Sequence, residues 1–162
     1  MSEVVITGAA RTAMGGFQGV FADLPAAELG GAAIRAAHAE AGLPSVDELW
    51  MGCVLPAGQG QAPARQAGFA AGLGETVPAT TLNKMCGSGM KAVMAARDQI
   101  ALGQAVTVIA GGMESMTGAP YLLPRMRGGA RIGHDKVIDH MFLDGLEDAY
   151  EKGRLMGTFA ED

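Results

Sequence analysis

The chain has 162 residues, which is enough for one domain of ordinary size with a substantial core. Hydrophobic residues make up 49% of it and aromatic residues only 5%, so the core is expected to consist of Ala, Val, Leu, Ile and Met. The net charge of −5 argues against a general role on nucleic acid or membrane surfaces. Two cysteines form no disulfide framework and indicate a cytosol-like compartment, and the N-terminus has neither signal-peptide nor membrane-span character.

The chain opens with an apolar run, residues 4–7, that is typical of a buried first strand. It leads into a small-residue turn, and the stretch 4–16 (VVITGAARTAMGG) superficially resembles a dinucleotide-binding loop. A pyrophosphate loop of the short-chain dehydrogenase type needs glycines at 12 and 14, where Thr12 and Met14 stand. The residues therefore favour a strand that ends in an ordinary loop.

Helical and strand patterns then alternate along the chain. A helix is predicted from Asp23 and Pro25 to Ala41, with Gly42 and Pro44 as its stop. The later predictions are a strand at 48–55, a short helix at 63–71, a strand at 79–83, a helix at 87–102 and a strand at 105–110. This order predicts an α/β fold, a βαβαβαβ unit with a mostly parallel sheet covered by helices.

The pattern changes after Met113. Prolines, glycine pairs and scattered arginines indicate a long irregular region with one weak helical stretch near 142–150. We therefore predict an N-terminal domain over 1–115 and the beginning of an irregular loop domain over 116–162. Thr158 and Glu161 have the spacing of a capping box, which predicts a helix that begins at Thr158.

Cys86 has the strongest chemical signal in the sequence. It lies where a predicted strand ends and a predicted helix begins, in the stretch TLNKMCGSGMKAVMAA at 81–96. A helix start favours the thiolate, which is the reactive form of cysteine. Gly87 and Gly89 are poor helix formers, so their presence suggests that another molecule approaches the backbone there. The pattern favours a nucleophilic cysteine over a buried structural one.

The segment NKMCGSGMKA resembles the nucleophile motif of the thiolases, of the acetoacetyl-CoA (biosynthetic) type. Four further segments resemble thiolase segments in the same order: AARTAMGGFQG at 9–19, MGCVLPAGQGQAPARQA at 51–67, AGGMESMTGAPYLLP at 110–124 and DGLEDAYEKGRLMG at 144–157. The resemblance extends over essentially the whole chain. It identifies the α/β unit as the N-terminal portion of a thiolase, followed by the start of the loop domain.

The resemblance implies an acyltransferase in which Cys86 forms an acyl-thioester intermediate. Its substrates would be acetyl-CoA, acyl-CoA and free CoA, with no separate cofactor, and the backbone N–H of Cys86 would bind the thioester oxygen. Leu146 and Met156 match positions that line the CoA and pantetheine site. Biosynthetic thiolases often have His-Met where this chain has Leu155 and Met156. The family further implies a cytoplasmic homo-oligomer, a dimer or tetramer, that acts in fatty acid metabolism.

The motifs of the second thiolase half, N-E-A-F, G-H-P and C-x-G-G-G, do not occur in these 162 residues. We therefore expect the sequence to be a portion of a longer chain and to catalyse no turnover alone. Two alternatives remain open. One is a related condensing enzyme, and the other is a non-catalytic CoA-binding or assembly subunit of a split thiolase.

The remaining polar and sulfur side chains have structural interpretations. His38 is expected to be a packed or surface residue, and His134 and His140 are expected to be solvated loop residues. Cys53 is expected to be a small core residue, and no metal site is expected. Met85, Met90 and Met94 are most simply core residues. Four cations of the irregular region could meet CoA phosphates, but a subunit contact is favoured: Arg125, Arg127, Arg131 and Lys136.

Overall fold

The structure is a computed structural model that describes residues 3–42 and 45–161. In chain order its longer elements are α1 (Ala26–Ala41), β1 (Glu48–Gly52), α2 (Pro63–Ala71), β2 (Ala79–Leu82), α3 (Ser88–Ala101) and β3 (Val108–Gly112). The three strands form one parallel sheet in the order β2-β1-β3. An α/β fold with a parallel sheet flanked by helices is therefore confirmed. No helix of the described residues is both long and apolar enough to cross a membrane.

The predicted first strand is wrong. Residues 4–7 pair with no strand among the described residues, and Val5 and Ile6 are 65% and 81% exposed. The described unit is therefore αβαβαβ, and not βαβαβαβ. The following residues lie along the end of α1, where the N–H of Ala9 donates to the Glu40 carboxylate at 3.0 Å. An apolar run forms a strand only where it pairs with a neighbouring strand, and residues 4–7 pair with neither edge strand of the sheet, β2 or β3.

Helices α1 and α2 pack closely because glycines line their contact. A Cβ added at Gly31 would lie 2.6 Å from the Ala70 Cβ of α2, and one at Gly30 would lie 3.3 Å from the Ala67 Cβ. Helix α1 ends at Gly42, which has φ +64° and donates its N–H to the His38 carbonyl. The predicted glycine stop is confirmed, while Pro44 lies outside the described residues.

Helix α3 lies on the sheet through one face of small residues. Ser88, Ala92 and Ala96 are buried there, and on this side of β1 the Trp50 indole N–H donates to Gln99 of α3 at 3.0 Å. The opposite face is exposed, so the prediction that the methionines are core residues is wrong. Met85, Met90 and Met94 are 45%, 72% and 52% exposed. The reason is that the sheet covers only one side of α3 in the part of the chain that is described.

The region after β3 is irregular, as the sequence predicts. It contains the antiparallel pair β4 (Tyr121–Leu122) and β5 (Ile138–Asp139), a 3₁₀ turn at Met126–Gly128, a π-helical turn at Phe142–Leu146 and the short helix α4 (Met156–Ala160). The domain boundary at 115 stays a prediction. The predicted capping box is wrong, since α4 begins at Met156 and the Thr158 hydroxyl donates to the Leu155 carbonyl at 2.8 Å. A hydroxyl engaged with the preceding turn cannot cap a helix that begins after it.

Candidate functional site

Cys86 is an exposed free thiol at the carboxyl edge of the parallel sheet. It comes four residues after the end of β2 and two residues before the start of α3. Among the described residues, no side chain makes a hydrogen bond to its sulfur. The sequence prediction of its place between a strand and a helix is confirmed. Its chemical role remains a prediction.

The turn before Cys86 has an unusual backbone. Met85 has φ +49°, in the left-handed region that residues other than glycine rarely adopt. Its N–H donates to Oδ1 of Asn83 at 2.8 Å, and its carbonyl accepts from the Ser88 N–H at 2.9 Å and the Ser88 hydroxyl at 2.5 Å. That hydroxyl also accepts from the Lys84 N–H at 2.8 Å. Side chains on both sides of Cys86 therefore fix the turn that presents it.

The glycines near Cys86 differ in how closely their neighbours approach them. Gly89 faces β3, where an added Cβ would lie 3.5 Å from the Gly112 nitrogen. On the other strand, an added Cβ at Gly52 would come within 2.6 Å of Ser88. Gly52 therefore allows α3 to begin directly on the end of β1, whereas Gly89 makes only an ordinary contact with β3. Gly87 has a single neighbour, at 3.4 Å from an added Cβ, and the approach of another molecule to Gly87 and Gly89 stays a prediction.

The second cysteine, Cys53, is confirmed as a core residue. It is 1% exposed and follows β1, and its thiol donates to the Glu114 carboxylate at 3.4 Å. Burial, followed by the charge of Glu114, raises the pKa of Cys53 to about 11. A thiol that stays protonated at neutral pH is a poor nucleophile, so these surroundings exclude Cys53 as the more reactive cysteine.

Glu114 connects two strand ends of the sheet. Its carboxylate accepts the N–H groups of Val54 at 2.7 Å and Leu55 at 3.0 Å, and it follows β3 by two residues. The Val54 carbonyl accepts from Nδ2 of Asn83 at 3.3 Å, which extends the connection to the residue three before Cys86. The sequence alone predicts no role for Glu114, Asn83 or Ser88. An acidic side chain directly after a strand was the available signal for Glu114.

Leu146 and Met156 lie beside each other in the C-terminal region. An antiparallel bridge joins Glu147 to Leu155, which places the residues before and after them opposite each other. Leu146 is half-buried and Met156 is 46% exposed. The structure thus brings the two predicted substrate residues together, but no hydrogen bond or strand pairing of the described residues connects either to Cys86. Their contact with substrate stays a prediction.

His140 contradicts its sequence interpretation. It is 5% exposed, and its Nδ1 lies 2.6 Å from Oδ2 of Asp144. Its Nε2 is buried without a hydrogen-bond partner among the described residues. The reason is tertiary: the N–H of His140 donates to the Pro120 carbonyl and holds the residue inside the fold. His134 is exposed, as predicted, and His38 is half-buried on α1.

The four cations of the irregular region, Arg125, Arg127, Arg131 and Lys136, are all exposed. An open groove of about 460 Å³ runs along residues 136–147, and neither Cys86 nor Leu146 nor Met156 lines it. Within residues 3–42 and 45–161, no three His, Cys, Asp or Glu side chains are arranged to hold a metal ion.

Comparison with known protein families shows to which family the chain belongs. The family model described as "Thiolase, N-terminal domain" matches residues 4–162. The chain belongs to the thiolase family. It is 52% identical to an acetyl-CoA acetyltransferase of Cupriavidus necator and 51% identical to one of Pseudomonas aeruginosa, covering all of this chain and 42% of each relative. It is also 49% identical to the mitochondrial acetyl-CoA acetyltransferase B of Xenopus laevis, covering 38% of it.

The chain spans about two fifths of the length of these curated relatives. The resemblance seen in five sequence segments is therefore confirmed for this portion of the thiolase fold. The activity of a whole thiolase is a proposal for this chain.

Proposed function

We propose that this chain carries the nucleophile of an acyl-CoA:acetyl-CoA C-acyltransferase, with Cys86 as the residue that becomes acylated. The observation that supports it is an exposed cysteine held between β2 and α3 in a thiolase N-terminal domain. The other cysteine is buried, and its pKa is raised to about 11. The nucleophilic role therefore falls to Cys86.

The proposed reaction has two halves. The Cys86 thiolate attacks the thioester carbonyl of acyl-CoA, the bond from carbon to the CoA sulfur breaks, and CoA leaves as its thiol after taking a proton. The α-carbon of acetyl-CoA, after losing a proton to a base, then attacks the acyl-Cys86 carbonyl. A carbon–carbon bond forms, the Cys86 thiolate leaves, and 3-oxoacyl-CoA is released. The reverse sequence cleaves 3-oxoacyl-CoA with free CoA.

Substrate binding and subunit assembly involve other parts of the chain. The N–H of Cys86 binds the developing oxyanion. Leu146 and Met156, which lie beside each other, contact the pantetheine arm of the substrate. The exposed cations of residues 125–136 belong to a contact between subunits of a dimer or tetramer. The reaction uses CoA thioesters as substrates and no separate cofactor. We propose a cytoplasmic location, although some relatives are named as mitochondrial proteins.

The test is acylation of the full-length protein with acetyl-CoA, followed by peptide mass mapping. We expect the acetyl group on Cys86 in the parent and in the matched control Cys53→Ala, and none in Cys86→Ser. Acetylation that persists in Cys86→Ser would refute the role of Cys86. Binding of CoA without acetylation of any residue would favour the non-catalytic subunit.

A further inference from the structure

We propose that Asn83 and Ser88 are positioning residues that hold Met85 in its left-handed conformation and thereby fix Cys86 at the start of α3. The inference rests on the proposed role of Cys86 as the acylated residue. In this inference, Asn83 and Ser88 raise the rate at which Cys86 is acylated.

The first step is the conformation of Met85. A non-glycine residue with φ +49° is strained, and such a conformation persists only where its surroundings hold it. The Met85 side chain is 45% exposed, so packing of that side chain is a weak restraint. The restraint acts on its peptide groups, where Asn83 accepts from the N–H and Ser88 donates to the carbonyl.

Ser88 is itself held in place by its contacts. It is 4% exposed at the first position of α3, and its hydroxyl both donates to Met85 and accepts from the Lys84 N–H. Gly52 of β1 lies against it so closely that an added Cβ there would come within 2.6 Å. The position of Ser88 is therefore set by the sheet, and Ser88 transmits it to the turn.

Asn83 is held in place by the segment that follows β1. Its side chain is exposed, but Nδ2 donates to the Val54 carbonyl while Oδ1 accepts from Met85. The Val54 N–H is in turn bound by the Glu114 carboxylate at 2.7 Å. A continuous series of hydrogen bonds thus connects the ends of all three parallel strands to the residue before Cys86.

This arrangement has a chemical consequence. Attack on a thioester needs the sulfur and the oxyanion-binding N–H in fixed relative positions, and a displacement of about 1 Å can cost on the order of a hundredfold in rate. Alkylation by iodoacetamide needs the thiolate but no carbonyl-binding geometry. A positioning role therefore affects acylation more strongly than alkylation.

The experiment compares these two reactions at Cys86 in the full-length protein, by peptide mass mapping, with thermal unfolding as a check on folding. The variants are Asn83→Ala, Ser88→Ala and the pair Met85→Val and Met85→Asn. Valine resists the left-handed region, whereas asparagine tolerates it. The matched control is Asp47→Asn, because Asp47 accepts the N–H groups of Val106 and Thr107 away from Cys86.

We expect Asn83→Ala, Ser88→Ala and Met85→Val to lower the rate of acetylation by acetyl-CoA on the order of tenfold or more. Alkylation should stay within about twofold of the parent, and Met85→Asn should acetylate at least about fivefold faster than Met85→Val. Asp47→Asn should match the parent in both reactions.

Three results would overturn the inference. They are equal acetylation in the parent and Asn83→Ala, equal acetylation in the two Met85 variants, and a loss of both reactions that follows a loss of folding. A parent that is alkylated at Cys86 but never acetylated would instead refute the proposed function, and the positioning role would be rejected with it.

Discussion

Cys53 and Cys86 both follow strands of the same sheet, yet one is buried and the other is exposed. Cys53 lies in the core beside the Glu114 carboxylate, so its neutral thiol is favoured by desolvation and by a like charge. Cys86 is exposed on a turn held by polar side chains. The difference comes from depth in the fold, which the strand position of Cys53 predicts, and from the Glu114 carboxylate beside Cys53, a contact 61 residues apart in sequence that this position does not predict.

The raised pKa of Cys53 predicts a stability change at alkaline pH. Below pH 9.0 the thiol is protonated in both the folded and the unfolded chain, and it contributes no pH dependence. Between pH 9.0 and about 11 the unfolded chain loses this proton while the folded chain keeps it, so the free energy of unfolding falls as the pH rises. Urea unfolding should show the parent and Cys53→Ala converging in stability by about 1 kcal/mol per pH unit in this range. Parallel stability curves would contradict the prediction.

Asp144 supports the buried ring of His140. Replacing Asp144 by Ala leaves Nδ1 without its partner at 2.6 Å, in a ring whose Nε2 already lacks one among the described residues. We expect the free energy of unfolding to fall by about 1–3 kcal/mol. The control is Asp98→Ala, whose partner Arg97 is exposed, and this change should stay within about 0.5 kcal/mol. Chemical denaturation measures both changes. Equal losses of the free energy of unfolding would show that the Asp144–His140 pair stabilises the fold no more than an exposed pair does.

At the scale of elements, the sequence predicts the helices and strands that have strong local signals. Helix α2 is predicted at its observed bounds, and β2 and α3 are predicted within one residue at each end. Their proline, glycine and apolar spacing determines them locally. The strand at 4–7 is wrong because a strand needs a neighbour, and the capping box at Thr158 is wrong because its hydroxyl binds the Leu155 carbonyl. Likewise, the position of Cys86 is predictable, but the places of Ser88 and Glu114 depend on contacts between residues distant in sequence. Ser88 lies against Gly52, and Glu114 binds the N–H groups of Val54 and Leu55.

The contact between α3 and the sheet predicts different costs for two alanine substitutions. A Cβ at Gly52 would meet the Ser88 and Gly89 backbone at 2.6 and 2.7 Å, and backbone cannot move aside cheaply. At Gly111 the nearest atom is the Met51 sulfur at 3.6 Å, an ordinary contact. Gly52→Ala should therefore lower the free energy of unfolding by about 1–3 kcal/mol or more. Gly111→Ala is the matched control, and equal urea midpoints would show that α3 does not rest on Gly52 this closely.

At the scale of the whole molecule, the outer side of α3 presents an apolar patch. Met90, Val93 and Met94 recur at helical spacing and are 72%, 46% and 52% exposed. A polypeptide of residues 1–162 alone should therefore self-associate, measured by sedimentation across a range of concentrations. The double variant Met90→Lys, Val93→Glu should remain monomeric to higher concentration. Val106→Lys, a change at an exposed apolar residue outside α3, should have no such effect, and equal behaviour of the two variants would contradict a role for this patch.

The same polypeptide should carry the nucleophile without completing the reaction. Carbon–carbon bond formation needs a base for the α-proton of acetyl-CoA, and no titratable side chain of the described residues is hydrogen-bonded to Cys86. The buried His140 is already paired with Asp144. We expect residues 1–162 alone to show no cleavage of acetoacetyl-CoA by CoA, and turnover to appear when the remaining three fifths of a thiolase is supplied as a separate chain. Cys86→Ser in the first chain should abolish that rescue, whereas Cys53→Ala should keep it. Robust turnover by residues 1–162 alone would show that the base lies within this chain and that the shared-site hypothesis is wrong.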